Sequence, residues 1–292
     1  MISNEMEIIL LGIMVCACAS LPGVFLVLRG MSMMTDAISH TVLLGIAIGY
    51  FISHDLSSPW LFFCAVIIGI FTVWFTELIY RTKLVNKDSA IGIVFPLFFS
   101  IGVILISKFA KNVHLDVEHI IFGEIAFAPF DRFETANFDF GPKSLTITAI
   151  IFLLNLIVIM LFYKELKVST FDENYTKIIG FSPMFLNYLL MTLASITSVG
   201  TFRSVGVILV ISFMVGPPLT ARLLTNKLSV MIVLSIIIGG IDSVIGYFLA
   251  NYYDVSISGT QATVIGGIFL IVLLIAPKIK NIFSKKVQLE NI

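Results

Sequence analysis

Two polar side chains, Asp36 and His40, interrupt an otherwise apolar stretch of the sequence. On a helix, residues four apart lie one above the other on the same face. A carboxylate and an imidazole together form a ligand set that suits zinc, manganese or iron(II). The same spacing also fits a helix in which Asp36 offsets the macrodipole near the N-terminus and His40 is a hydrogen-bonded core histidine. The pair is therefore a candidate metal site, with a capped helix as the alternative.

The composition predicts the kind of element that must position this pair. Of 292 residues, 58% are hydrophobic and 12% are charged, whereas soluble domains carry about 25% charged residues. The apolar residues form runs long enough to cross a bilayer, at 7–28, 33–53, 59–79, 89–107, 144–163, 183–201, 229–250 and 261–277. A shorter, glycine-containing stretch, 204–216, is predicted to be a broken or half-spanning helix. We expect an all-α, polytopic membrane protein with eight or nine transmembrane helices in the lipid bilayer, forming one domain over residues 1–292.

The distribution of basic residues predicts the orientation. Most of the 18 Lys and Arg residues fall on one side if the C-terminus is cytoplasmic, as the positive-inside rule requires. The N-terminus then lies outside, together with a long external segment, about 108–143. That segment is rich in carboxylates, and a negatively charged entrance attracts cations. Its candidate entrance residues are His114, Asp116, Glu118 and His119, although a solvated loop or a protein-docking surface would have the same composition.

Two further features concern the membrane interior and its cytoplasmic edge. Asp242 follows two glycines within an apolar run and is expected either to line a pathway or to bond a neighbouring helix. Gly216-Pro217-Pro218 is expected to end the preceding helix, because proline lacks a donor and clashes with the previous turn. The sequence "LTARLLTNKL" then predicts a short amphipathic helix that exposes Arg222 and Lys227. Residues 217–227 could couple the protein to a soluble motor, or form an ordinary interfacial turn.

Several classes of function are excluded or disfavoured. The net charge is zero, so nothing indicates a nucleic-acid partner. The sequence lacks both the G-x-x-x-x-G-K-[ST] phosphate loop and the H-E-x-x-H motif, so neither nucleotide hydrolysis nor metalloprotease chemistry is expected of it. A secondary carrier driven by an ion gradient is the alternative function, although such carriers use a richer chain of buried titratable groups.

Several segments together resemble the metal-ion permeases of ABC importers. "LRGMSMMTDAISHTVLLGIAIGYF" is similar to the first signature of that family, L-R-x-M-S-L-M-G-D-A-x-S-H-A-V-L-x-G, and "SVGVILVISFMVGPPLTARLL" is similar to a late one. "DSAIGIVFPLFFSIGVIL", "LDVEHIIFGEI" and "TFDENYTKIIGFSPMFLNYLLM" resemble family segments in the family's order. Thr35 and Leu44 depart from the usual glycine and proline, and "GPPLTARLL" replaces "PAATARLL".

The resemblance carries specific implications. It implies a type II ABC importer-like permease in the bacterial cell membrane that moves manganese, zinc or iron, with no permanently bound cofactor. Asp36 and His40 match the metal-coordinating pair, and 217–227, with Pro217, Pro218, Arg222 and Lys227, matches the segment that docks on the ATPase. The implied partners are cytoplasmic ATP-binding subunits, an external metal-binding lipoprotein or periplasmic protein, and a second permease copy or a similar permease.

Overall fold

The computed structural model describes residues 4–55, 58–109, 124–135 and 138–290. Within these ranges, nine helices are long and apolar enough to cross a membrane. The fold class is therefore confirmed as an all-α, multi-pass membrane protein. Packing of these helices buries a single large apolar cluster in which α1 is the most enclosed span.

The described elements follow one another in this order along the chain. The first four helices are α1 (Asn4–Leu28), α2 (Ser32–Ser53), α3 (Pro59–Arg81) and α4 (Lys87–Phe109). A 3₁₀ helix (Ile125–Phe130) and an antiparallel hairpin of β1 (Arg132–Thr135) and β2 (Phe138–Pro142) come next. The remaining helices are α5 (Lys143–Leu161), α6 (Tyr163–Phe171), α7 (Glu173–Ile178), α8 (Pro183–Val205), α9 (Val207–Leu224), α10 (Leu228–Tyr253) and α11 (Ile257–Glu290).

Seven of the predicted spans agree with the observed helices to within a few residues, and the eighth, 261–277, lies within a helix that runs on to Glu290. One prediction about helix ends is wrong. Pro217 and Pro218 do not end a helix, because α9 runs through both of them to Leu224. The stretch 204–216 is accordingly not a half-helix. Its break lies at Gly206, whose φ of 83° ends α8 and starts α9. The short amphipathic helix predicted after the prolines is the last part of this long helix.

Close contacts with neighbouring helices explain why prolines are tolerated inside spans. Pro218 cannot donate to the Met214 carbonyl, four residues earlier. That oxygen instead lies against the backbone of Gly23 in α1, so closely that a Cβ on Gly23 would be 2.1 Å from it. Only glycine permits this approach.

The proline within α1 is compensated by a side chain. Pro22 leaves the Cys18 carbonyl without its usual helical donor. The buried Asn155 side chain of α5 donates to this oxygen at 3.2 Å and also to Thr197 Oγ1 in α8 at 2.7 Å. One amide thus joins three spans at the point where α1 loses a backbone hydrogen bond.

Small residues set the position of α2, which carries Asp36 and His40. A Cβ on Gly45 would lie 2.5 Å from the Ala65 Cα of α3, and one on Gly49 would lie 2.7 Å from the Leu61 Cα. This Gly-x-x-x-Gly spacing lets two membrane helices approach backbone to backbone. Helix α2 is consequently held against α3 along its second half.

Two sets of polar contacts connect the segment that contains the 3₁₀ helix and the hairpin to the transmembrane helices. Arg132 makes a two-pronged ion pair with Glu7 of α1, with both N–O distances 3.0 Å. Glu124 accepts hydrogen bonds from Ser256 Oγ and from the Ile257 and Ser258 backbone amides. Glu124 therefore caps the N-terminus of α11, where the helix dipole favours a negative charge.

Candidate metal site

Asp36 and His40 face each other on the first half of α2. Their spacing stacks them, and the Nε2 atom of His40 lies 3.4 Å from Oδ1 of Asp36. Neither side chain is fully buried, with 37% of His40 and 38% of Asp36 exposed. The two side chains thus lie close together, as predicted, on a face of α2 that the rest of the described chain leaves open.

Aromatic rings of α4 form one wall beside the imidazole. The ring centroids of Phe95 and Phe99 lie 5.6 and 5.8 Å from that of His40. These rings restrict the rotation of His40 and supply no oxygen or nitrogen ligand. The imidazole is therefore oriented by packing while its Nε2 atom remains directed toward the carboxylate.

A small cavity of about 20 Å³ lies on another side of the pair. It is lined by Ser39, His40, Val42, Leu43, Ile46, Phe99, Phe202 and Val207. A volume of this size holds about one water molecule. The surroundings of His40 thus have room for a single small polar species beside the imidazole.

The pair supplies only part of a coordination shell. In the part of the chain that the structure describes, no group of three or more His, Cys, Asp or Glu residues is arranged to hold a metal ion. Zinc usually takes four ligands, and manganese or iron takes up to six. The remaining ligands at Asp36 and His40 would have to be water or side chains of another molecule.

Asp242 occupies a different environment. It is fully buried on α10, and neither carboxylate oxygen has a hydrogen-bond partner among the described residues. It lies one turn from Gly239, whose own Cβ position is occupied by Cys16 of α1. Gln261 of α11 is buried nearby and donates to the backbone oxygen of Ser243 at 3.1 Å. Asp242 thus lies between helices without a bond to a neighbouring helix in the described residues, so the pathway and helix-bonding interpretations both stay predictions.

The residues of the 217–227 segment divide into two groups. Pro217 and Pro218 are buried within α9, whereas Arg222 is exposed in its last turn and Lys227 is exposed just before α10. The Arg222 guanidinium donates to the Val27 carbonyl of α1 at 3.3 Å. The exposed part of the predicted coupling segment is therefore the last turn of α9 and the connection to α10.

Arg29 is a polar residue at the same end whose environment the sequence did not reveal. Its guanidinium donates to Ser169 Oγ at 2.8 Å, Thr170 Oγ1 at 3.1 Å and Asn187 Oδ1 at 3.2 Å. Burial lowers the pKa of Arg29 to about 10, and the charge of Glu173 partly opposes this shift. The group stays protonated at neutral pH, and it links the α1–α2 turn to α6 and α8.

The four predicted entrance residues, His114, Asp116, Glu118 and His119, lie outside the described residues. Glu77 and Arg81, one turn apart on α3, form an ion pair with an N–O distance of 3.1 Å.

The described part of the chain combines nine helices long and apolar enough to cross a membrane with a polar pair on one open helix face, an arrangement typical of membrane transport proteins. Residues 2–276 match the model of the ABC 3 transport family, and the chain belongs to that family. The resemblance found in the sequence is thereby confirmed.

Relatives of known name support the same assignment. The chain is 40% identical to the manganese transport system membrane protein MntD of Bacillus subtilis, over 99% of this chain and 97% of that protein. It is 47% identical to the zinc transport system membrane protein TroD of Treponema pallidum, over 94% of this chain and 74% of that protein.

A solved structure shares the fold over nearly its whole length. PsaBC from Streptococcus pneumoniae, in complex with Fab, superposes with a TM-score of 0.77 at 32% identity, covering 96% of this chain and 94% of that one. An inward-facing metal-chelate type ABC transporter, at 16% identity and a TM-score of 0.66, also shares the fold.

Proposed function

We propose that this protein is the permease subunit of an ATP-driven importer for a divalent transition metal, namely manganese, zinc or iron(II). The observation that carries the proposal is the stacked Asp36–His40 pair on an open face of α2. Relatives named for manganese and zinc transport, matched over most of this chain, support the same conclusion.

The open face of α2 supports a dimer. An ionisable side chain in a membrane interior costs about 2.5–3.5 kcal/mol on insertion scales unless it is paired or solvated. A second copy, or a similar permease, placed against this face would cover both groups and add its own carboxylate and imidazole. Four protein ligands would then surround an ion, with few enough contacts for it to be released again.

The passing metal is the cargo and not a resident cofactor. An external metal-binding lipoprotein or periplasmic protein would deliver it to the side that carries the acidic segment. Asp36 and His40 would replace part of the hydration shell of the ion as it crosses. Selectivity would depend on geometry and metal availability as much as on affinity.

The proposed orientation places the N-terminus outside and the C-terminus in the cytoplasm, in the cell membrane of a bacterium. Arg29, Arg81, Lys87, Lys177 and Arg222 then share the cytoplasmic end, in agreement with the positive-inside rule. The hairpin and the 3₁₀ helix lie at the opposite, external end.

Nucleotide hydrolysis would belong to separate cytoplasmic ATPase subunits. Two surfaces at the cytoplasmic end support their docking. One is the exposed end of α9 with Arg222 and Lys227. The other consists of α6 and α7, short helices between spans that expose apolar side chains, including Tyr175 and Ile178.

The test is metal uptake by proteoliposomes that contain this permease, its ATPase and its external binding protein. Uptake should require ATP, fail with a hydrolysis-deficient ATPase, and persist when an ionophore removes the proton gradient. Uptake that survives loss of ATP hydrolysis but stops with the ionophore would instead establish a secondary carrier. Parallel assays with manganese, zinc and iron(II) identify the cargo.

A further inference from the structure

A large polar pocket lies at the Arg29 end of the helices, apart from the Asp36–His40 pair. Its volume is about 720 Å³, within the range of ligand sites. Four basic residues (Arg29, Arg81, Lys87 and Lys177) and two acidic ones (Glu77 and Glu173) line it. We call it the Arg29 pocket, and its lining is positive on balance.

The charge of Arg29 is not neutralised by a direct ion pair. Its three hydrogen-bond acceptors are two hydroxyls and an amide oxygen, and none of the ion pairs among the described residues includes it. A charge held away from water is stable only when polar groups or a counter-ion compensate it. Arg29 therefore provides a fixed positive charge in the wall of the pocket.

The other basic residues differ in how far they are already engaged. Arg81 is paired with Glu77, and the ammonium of Lys87 lies 5.3 Å from the Tyr80 ring centroid. The Lys177 side chain has no hydrogen bond or ion pair to the described part of the chain. Lys87 and Lys177 can thus turn toward an anion without breaking an ion pair.

A helix N-terminus adds to the positive potential. Ser182 caps α8, accepting a hydrogen bond from the Phe185 amide at 3.3 Å, and Ser182, Pro183 and Met184 line the pocket. Unpaired amides and the positive end of the dipole make such a terminus favourable for a phosphate group.

The position of the pocket favours a lipid over a soluble anion. Its walls include the last turn of α3 and the first turns of α4 and α8. The ends of membrane-spanning helices lie at the depth of the lipid headgroups. The apolar side chains of Phe181 and Met184, which line the pocket, are 43% and 42% exposed, so acyl chains can contact them. Basic pockets between transmembrane helices bind anionic headgroups in this way.

We propose that the Arg29 pocket binds the phosphate of an anionic phospholipid. Arg29 and the α8 N-terminus hold the phosphodiester, and Lys87 and Lys177 approach it from the sides. The bound lipid joins the α1–α2 turn to α3, α4, α7 and α8, so it stabilises the end from which α2 starts. This inference goes beyond the transport function and does not depend on which metal is carried.

The experiment measures thermal unfolding of the delipidated full-length protein in detergent, with phosphatidylglycerol, phosphatidylcholine or inorganic phosphate added. Phosphatidylglycerol should raise Tm by about 4 °C at roughly ten times its Kd, and the other two should raise it far less. Native mass spectrometry should detect retained phosphatidylglycerol. Equal shifts with both lipids would overturn the proposal, and an equal shift with inorganic phosphate would assign the pocket to a soluble anion.

Variants localise the effect to the pocket. The double variant Lys87→Gln/Lys177→Gln alters neither the Glu77–Arg81 pair nor the contacts of Arg29, and should lose more than half of the Tm rise. Lys167→Gln removes an exposed charge on α6 that does not line the pocket, and should keep the full rise. If the double variant does not fold, Lys177→Gln alone serves the same purpose. A full rise in the pocket variants would place the lipid elsewhere and contradict the proposal.

Discussion

The guanidinium of Arg222, at the end of α9, donates a hydrogen bond to the Val27 carbonyl, in the last turn of α1. The turn that follows Val27 contains Arg29 and leads into α2. The exposed end of α9 is thus attached to the segment from which Asp36 and His40 extend. A movement of Arg222 would therefore be transmitted through Val27 and the α1–α2 turn to the helix that carries Asp36 and His40.

Reversing the charge of Arg222 should uncouple transport. Arg222→Glu places a carboxylate beside the Val27 carbonyl and removes a cation from the proposed ATPase-docking surface. We expect weaker co-purification of the ATPase and loss of metal-stimulated ATP hydrolysis, at near-normal membrane levels of the permease. Lys143→Glu, a charge reversal at the opposite end that also breaks the exposed ion pair with Asp131, is the control. Unchanged ATPase binding and stimulation in Arg222→Glu would remove this residue from the docking surface.

The exposed apolar side chains of α7 should also contact the ATPase. Ile178 is 79% exposed on this short helix, where a soluble partner can cover it. Ile178→Glu should reduce co-purification of the ATPase at least tenfold, since a carboxylate would be buried in an apolar contact. Leu84→Glu changes a residue that is 86% exposed in the turn between α3 and α4, and should have little effect. Equal losses in both variants would mean that α7 has no special role.

The approach of α2 to α3 should tolerate no side chain at Gly45. A Cβ there would meet the Ala65 Cα at 2.5 Å, so Gly45→Ala must separate the helices and shift Asp36 and His40 with them. We expect destabilisation of about 1–3 kcal/mol and reduced metal uptake. Gly240→Ala is the matched control, because nothing lies within 4 Å of its Cβ position. Equal stability of the two variants, measured by unfolding in mixed micelles, would contradict the close contact.

The ion pair of Glu7 and Arg132 should contribute substantially to stability. Glu7 is only 7% exposed, and its carboxylate accepts hydrogen bonds from both terminal nitrogens of Arg132. Arg132→Gln would leave a buried carboxylate without its partner, so we expect a loss of about 3 kcal/mol in the free energy of unfolding. Asp131→Asn, in the more exposed pair with Lys143, should cost less than about 1 kcal/mol. Similar losses in the two variants would show that burial of Glu7 does not strengthen its pair.

The spans and the stacked pair were predictable because both depend on local sequence. The length of an apolar run determines a membrane helix, and a spacing of four residues stacks Asp36 on His40. The path of α9 was not predictable from the same rules. The expectation that proline ends a helix takes account only of contacts within that helix. The Met214 carbonyl, which loses its donor at Pro218, instead packs against Gly23 on a distant part of the chain.

Long-range polar contacts left no local signal either. The acceptors of Arg29 lie on α6 and α8, and Glu124 caps a helix that starts at Ile257. No periodicity in the sequence connects these positions. Asp242 shows the same difficulty, because its spacing from two glycines does not distinguish a pathway from an interhelical contact. Its buried carboxylate has no hydrogen-bond partner among the described residues, so both interpretations stay predictions.

Metal uptake by Asp36→Ala and His40→Ala variants tests the central claim most directly. Each variant is compared with wild type and with Met33→Leu, which alters the same exposed face of α2 without removing a ligand. The assay is time-resolved, ATP-driven accumulation of manganese or zinc in proteoliposomes that contain equal amounts of inserted permease, its ATPase and its external binding protein. We predict that both alanine variants accumulate metal no faster than permease-free vesicles, while Met33→Leu transports at close to the wild-type rate. Wild-type accumulation by either correctly inserted alanine variant would contradict the claim that this carboxylate and imidazole carry the ion.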